Sequence, residues 1–172
     1  MALADTLNPP PLSPLFRHGG FLQQFNEDLF LISFFLVVLL VLERTVVPLV
    51  LRKSLQDKNA RYFLLHAIIN TVVVVYSFPD MLRMFLDPLH AFTGPSHTMV
   101  SNSAIAAVHL YHVFFFSLNS QDVFHHLTFV VFLCGIAIPY KQVGGALNNV
   151  GCFILSGLPG GLDYYLLVGV KV

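Results

Sequence analysis

An apolar run that begins at residue 29 reads LFLISFFLVVLLVL and carries no charged residue between Leu29 and Leu42. A helix needs about 20 mostly apolar residues to cross ~30 Å of hydrocarbon. Runs of similar character recur along the chain, and we predict spans at 29–51, 62–78, 99–118, 123–140 and 144–170. The sequence therefore predicts an all-α, multi-span transmembrane helical bundle of about five spans.

The composition of the chain agrees with a membrane protein. Of the 172 residues, 56% are hydrophobic and 10% are charged, whereas a soluble domain carries about 25% charged residues. Residues 1–28 are rich in proline and polar side chains, so we expect a polar N-terminal tail there and a membrane domain over 29–172. Basic and acidic residues number 9 each, which argues against nucleic acid as a partner.

The basic residues between the predicted spans are divided unevenly. Alternating the spans places one larger group of cations at one end of the bundle: Arg52, Lys53, Lys58, Arg61 and Lys171. A smaller group falls at the other end: Arg17, Arg83 and Lys141. Because cytoplasmic loops carry an excess of Lys and Arg, we expect the first group in the cytosol and the N-terminus outside or in a lumen.

Histidines are the polar residues that stand out inside the spans. Five of the eight in the chain fall there: His66, His109, His112, His125 and His126. Ionisable groups at membrane depth are costly, so they usually face the interior of a bundle and pair there. The helix rise places these histidines and Asp163 towards the same end of their spans. We therefore predict a polar pocket near the cytosolic side.

Helical spacing assigns roles within this pocket. Asp122 stands three residues before His125 and four before His126, so both rings can approach its carboxylate on one helix face. We predict these three as the catalytic group, with Asp122 orienting one imidazole. His109, His112 and Asp163 are the predicted lipid-binding residues. His66 alone is expected to be an interhelical hydrogen-bonding group, because polar residues commonly hold membrane helices together.

A metal site is the alternative use of the same histidines. The patterns HxxH at 109–112 and DxxHH at 122–126 partly resemble the histidine boxes of membrane di-iron hydroxylases, and imidazole suits iron. Those enzymes use three boxes, and the third is missing from this chain. We therefore expect no resident iron or zinc, and the hydroxylase activity remains the less favoured alternative.

The stretch SLNSQDVFHHLTFVVF resembles the TLC domain family, in which an Asp shortly precedes a His-His pair at the start of a membrane helix. Asp122, His125 and His126 occupy those positions. The segment GLPGGLDYYLLVGVK resembles the next helix of the family, with Asp163 and Lys171 at its acidic and basic positions. Since the family has six to eight spans, about five spans imply an incomplete TLC domain.

The resemblance implies a protein of the endoplasmic reticulum membrane that binds, senses or modifies membrane lipids. Within the family, ceramide synthases transfer an acyl group from acyl-CoA to an amine, so a lipid acyltransferase with acyl-CoA as co-substrate is one hypothesis. This chain has SLNSQDVF where those enzymes carry a longer signature. The difference favours the other hypothesis, a non-catalytic regulator that binds lipid in the same pocket.

Cysteine labelling tests the predicted orientation. With Ser54→Cys, we expect an impermeant thiol reagent to label the chain from the cytosolic side. With Ser96→Cys, we expect labelling from the opposite side, because one span separates the two positions. Labelling of both from the same side would contradict the topology.

Overall fold

The computed structural model describes residues 20–93, 96–135 and 146–172, and within these ranges it is all helical, with no strand. Seven α-helices lie within these ranges: α1 Gly20–Val50, α2 Lys58–Leu86, α3 Pro88–Thr93, α4 Val100–Phe115, α5 Ser120–His126, α6 Leu147–Gly151 and α7 Leu158–Lys171. Helix α5 continues into a π-helical segment, Leu127–Cys134, and a second π-helical segment, Cys152–Gly157, joins α6 to α7.

Helix α2 lies at the centre of the bundle. It packs against α4 on one side and against α6, α7 and the π-helical segment between them on the other, whereas α1 packs mainly on α4. The apolar core at these contacts is continuous and contains fully buried side chains of three helices: Leu39, Val47, Leu65, Ile69, Val73, Ile105 and Tyr111.

One end of the bundle, here called the basic end, gathers the 51–57 connection, the start of α2 and the end of α7. Ser54 Oγ donates to the carbonyl of Lys171, and Lys171 Nζ lies 2.7 Å from Asp57 Oδ2. Asp57 also caps α2, accepting from the Asn59 N–H at 2.9 Å. The hydrogen bond from Lys171 lowers the pKa of the Asp57 carboxyl, so this contact persists well into the acidic range.

A polar network closes the opposite end. Asp80 Oδ2 accepts from the His97 N–H at 2.8 Å and from Asn149 Nδ2 at 2.7 Å, and Asn149 Nδ2 also donates to the Thr98 carbonyl. Asp80 and Asn149 are both fully buried. The network ties α2 to α6 and to the residues that precede α4. A buried carboxylate is tolerated only when it is hydrogen-bonded, so Asp80 requires these partners.

In the part of the chain that the structure describes, three helical stretches are long and apolar enough to cross a membrane: Asn26–Val50, Lys58–Leu86 and Leu147–Lys171. They support an integral membrane protein, but the expected five spans are not confirmed. Helix α4 has 16 residues, or about 24 Å at 1.5 Å per residue, and most of its side chains are buried in protein. Residues 136–140 of the expected fourth span lie outside the described residues.

The boundaries of the other elements also differ from expectation. Helix α1 begins at Gly20, within the predicted tail, and residues 1–19 lie outside the described part of the chain. Helix α2 does not stop at Pro79 but runs on to Leu86. An interior proline removes one backbone donor and crowds the carbonyl of the preceding turn, but continuing the helix past Pro79 brings Asp80 to its buried partners.

The glycines of the last helical run serve packing. Helix continues from Leu147 to Lys171 although this run contains five glycines. A Cβ atom on Gly160 would lie 2.8 Å from Asn70 Nδ2 on α2. Because Asn70 is buried and accepts a hydrogen bond from Ser156 Oγ, its amide has little room to move.

Substitution of two glycines of α7 separates packing from helix propensity. Gly160→Ala is expected to destabilise the protein by about 1–3 kcal/mol, because the new methyl group displaces a buried amide. Gly169→Ala meets nothing within 4 Å and should be neutral or stabilising by up to about 1 kcal/mol. Thermal unfolding in one detergent measures both, and equal melting temperatures would contradict the close contact between α2 and α7.

Candidate functional site

Five histidines from three helices meet inside the bundle towards the basic end. His66 comes from α2, His109 and His112 come from α4, and His125 and His126 come from α5. The ring centre of His66 lies 5.8 Å from that of His109 and 5.9 Å from that of His112. The His109 and His126 rings are 5.0 Å apart. All except His125 are buried, so the cluster is a polar island in an apolar interior.

Local sequence explains how α4 and α5 bring their rings together. His109 and His112 stand three residues apart and share one face of α4. Helix α5 begins at a capping box, in which Asn119 Oδ1 accepts from the Asp122 N–H at 2.9 Å and Asp122 Oδ2 accepts from the Asn119 N–H at 3.0 Å. This fixed start places His125 and His126 in the last turn of α5, against α4.

The first histidine pair joins His109 to His125, whose Nε2 atoms lie 3.1 Å apart. His109 Nδ1 is 2.8 Å from the Ile105 carbonyl, which can only accept, so Nδ1 carries the proton. In a neutral ring the Nε2 of His109 is then a lone pair, and His125 must donate its Nε2–H to it. The remaining nitrogen of His125, Nδ1, therefore presents a lone pair.

The second pair joins His112 to His126 by the same logic. His126 Nδ1 lies 2.6 Å from the backbone carbonyl of Asp122 and donates to it. His126 Nε2 is then the acceptor of the contact with His112 Nδ1, at 2.8 Å. His112 Nε2 is left as a lone pair. Each pair thus consists of one ring held by a backbone carbonyl and one ring with an accepting nitrogen.

His66 stands between the pairs with one nitrogen unused. Its Nδ1 lies 3.2 Å from the Tyr62 carbonyl, and its Nε2 is buried with no hydrogen-bond partner among the described residues. An unpaired buried acceptor costs free energy, which a ligand with a donor group would recover.

Two cavities lie beside the cluster. The deep cavity, about 200 Å³, has ten lining residues: His66, Asn70, His109, His125, Phe129, Leu155, Ser156, Gly160, Asp163 and Tyr164. The end cavity, about 350 Å³, lies at the basic end: Lys58, Asn59, Tyr62, Phe63, His112, Phe116, Ser117, Asn119 and Asp122. Both rings of the first pair therefore border the deep cavity, and His112 of the second pair borders the end cavity.

Two tyrosines form the wall between these cavities. Tyr62 stacks on His112 with ring centres 3.8 Å apart, and its hydroxyl lies 3.1 Å from the hydroxyl of Tyr164. The Tyr164 ring is also 4.9 Å from that of His66. Because one hydroxyl of such a pair donates to the other, the accepting one keeps its own proton to offer.

The predicted site residues occupy different positions in this arrangement. His109, His112, His125 and His126 lie in the cluster, and the exposed Asp163 lines the deep cavity. Asp122 lines the end cavity. Its expected orienting role is corrected in one respect: the group that holds His126 is the Asp122 backbone carbonyl, because the carboxylate is engaged in capping α5.

Sequence analysis missed the contribution of α2. The sequence predicts only an interhelical hydrogen-bonding role for His66. It predicts no site role for Tyr62, Asn70 and Tyr164. The signal was present in α2, where Tyr62, His66 and Asn70 recur every four residues and so share one helix face. Tyr164 directly follows Asp163, and nothing in its spacing pointed to α2.

No group of three or more histidine, cysteine or carboxylate side chains in the described part of the chain is arranged to hold a metal ion. The absence of a resident metal stays a prediction. The chain matches no family model, no curated protein and no solved structure. Membership of the TLC family therefore also stays a prediction that rests on the motif around His125.

The hydrogen-bond pattern makes a spectroscopic prediction about tautomers. Nitrogen chemical shifts from solid-state NMR of protein with ¹⁵N-labelled histidine should show protonated Nδ1 in four rings and protonated Nε2 in His125. The four are His66, His109, His112 and His126. The exposed His97, outside the cluster, provides an internal reference. A protonated Nε2 and bare Nδ1 on His126 would contradict the second pair.

Proposed function

We propose that this protein is an integral membrane protein of TLC type that binds a membrane lipid in the deep cavity and transfers an acyl group to it. The observation that carries the proposal is the His109–His125 pair, which leaves a proton-accepting nitrogen on a residue that lines this cavity. Endoplasmic reticulum location, multi-pass topology and a cytosolic basic end belong to the same proposal.

His125 is the proposed general base. An amine or hydroxyl of the lipid attacks the carbonyl carbon of an acyl thioester, and the proton of the attacking group passes to His125 Nδ1. The carbon–sulfur bond breaks, and His125 returns that proton to the departing thiolate. His109 is the positioning residue, because its lone pair fixes the His125 tautomer and accepts from the Nε2–H of the charged ring.

The remaining polar groups of the deep cavity support this chemistry. When Tyr62 donates to Tyr164, the Tyr164 hydroxyl can donate to the oxyanion that forms on the acyl carbonyl. Asp163 offers a carboxylate to an ammonium or hydroxyl group of the lipid, and the unpaired Nε2 of His66 offers a second acceptor. The end cavity, with Lys58 in its lining, is the proposed site of the CoA moiety, and the thioester must pass Tyr62 and Tyr164 to reach His125.

One observation favours a second candidate function, a non-catalytic lipid-binding regulator. Both histidine pairs end at neutral backbone carbonyls, those of Ile105 and Asp122, so among the described residues no carboxylate hydrogen-bonds to either pair. Phe115 also stands where the TLC family often has an acidic residue four positions after Tyr111. Such a site binds a lipid headgroup by hydrogen bonds without moving a proton.

An acyl-transfer assay distinguishes these functions. Purified protein in lipid is incubated with labelled long-chain acyl-CoA and membrane lipids that carry free amines or hydroxyls, and label in the lipid product is counted. We expect His125→Gln to reduce the rate by about 10²–10⁴, because the base is lost. His109→Gln should lower kcat by a smaller factor and leave the KM for acyl-CoA unchanged.

His97→Gln is the matched control, since His97 is exposed at the opposite end and lies outside the cluster. Its activity and thermal stability should equal those of the wild type, and the cluster variants should remain folded in the same lipid. Lipid binding without any acylated product, lost in His125→Gln, would support the regulator instead. Full activity of His125→Gln would refute the acyltransferase proposal.

A further inference from the structure

A second concave surface lies at the basic end, separate from the histidine cluster. This groove of about 390 Å³ lies between the end of α1, the connection to α2, the first turn of α2 and the end of α4: Glu43, Arg44, Leu55, Gln56, Arg61 and Phe115. It combines two guanidinium groups with apolar side chains. The proposed function uses none of these residues.

The acidic residue of the groove is already engaged. Glu43 Oε1 pairs with Arg61, and Glu43 Oε2 accepts from the Tyr111 hydroxyl. Arg44 has no hydrogen-bond or ion-pair partner among the described residues. The groove therefore carries one positive charge that Glu43 does not neutralise, on a side chain with five N–H donors.

The apolar part of the groove continues along a helix that is able to cross a membrane. Leu55 and Phe115 are exposed. Val41 and Val37, three and seven residues before Arg44, share its face of α1 and are exposed as well. An occupant that satisfies both parts of this surface has an anionic head beside Arg44 and hydrocarbon along α1.

We propose that the groove binds the phosphate of an anionic membrane phospholipid, with Arg44 as the main contact and Gln56 as a second donor. Guanidinium groups bind phosphate oxygens in a bidentate manner. Basic pockets between transmembrane helices on the cytoplasmic side are suited to acidic headgroups. Because the uncompensated charge is positive, the groove selects a lipid of net negative charge over a zwitterionic one.

Native mass spectrometry of the purified chain in detergent tests this site. Phosphatidylglycerol and phosphatidylcholine are titrated separately, and the bound lipids are counted at each concentration. We expect the wild type to bind phosphatidylglycerol more tightly. Arg44→Gln should weaken that binding by about fivefold, the effect of removing one cation–headgroup contact, and should weaken phosphatidylcholine binding by a smaller factor.

Lys53→Gln is the matched control, because Lys53 is exposed in the same connection, carries the same charge and does not line the groove. Equal weakening by both variants would overturn the site in favour of unspecific attraction. So would equal affinity of the wild type for both lipids.

Two further measurements keep the outcome interpretable. Gln56→Leu removes a donor without changing the charge and should weaken phosphatidylglycerol binding by about threefold, even if Arg44→Gln fails to fold. Inorganic phosphate is then added at millimolar concentration to the lipid-bound protein. Retention of the lipid supports a lipid headgroup site, whereas displacement would overturn it in favour of a site for soluble phosphate.

Discussion

A buried imidazole needs a partner for its N–H group, and this requirement organises the interior of the bundle. Four of the five clustered histidines are buried, and the surrounding side chains offer few alternatives to other histidines and to backbone carbonyls. The carbonyls of Ile105 and Asp122 fix the tautomers of His109 and His126. Those rings in turn accept from His125 and His112. The two backbone contacts therefore determine that His125 Nδ1 and His112 Nε2 are proton acceptors. His125 lines the deep cavity and His112 lines the end cavity.

The central position of α2 follows from the same requirement. Tyr62, His66 and Asn70 form a polar stripe on a helix that is otherwise apolar enough for a membrane span. Such a stripe is tolerated only where other helices cover it. Gly160 on α7 allows the close approach that covers Asn70, while α4 covers His66 with the rings of His109 and His112. The deep cavity is the space that remains between these surfaces.

Charge is concentrated at one end of the molecule, where both proposed lipid contacts lie. Lys171 and Asp57 tie the last helix to the first connection, and Glu43 holds Arg61 beside α4. These pairs engage the carboxylates of Glu43 and Asp57 and leave Arg44 available. The deep cavity supplies neutral imidazole and hydroxyl groups and the Asp163 carboxylate, whereas the groove supplies a cation. We propose that the first serves the reacting lipid and the second anchors an anionic lipid of the surrounding leaflet.

The sequence by itself determined the helical class and the membrane environment, because long apolar runs without charge have few other stable arrangements. It also predicted that His109, His112, His125 and His126 lie towards one end of their helices, since helix rise is constant. Tertiary structure decided the rest. Only packing of α2 against α4 shows that His66 joins the cluster, and only the capping of α5 shows that the Asp122 carbonyl holds His126. Side-chain partners on different helices depend on how the helices rotate and approach, which spacing along one helix does not specify.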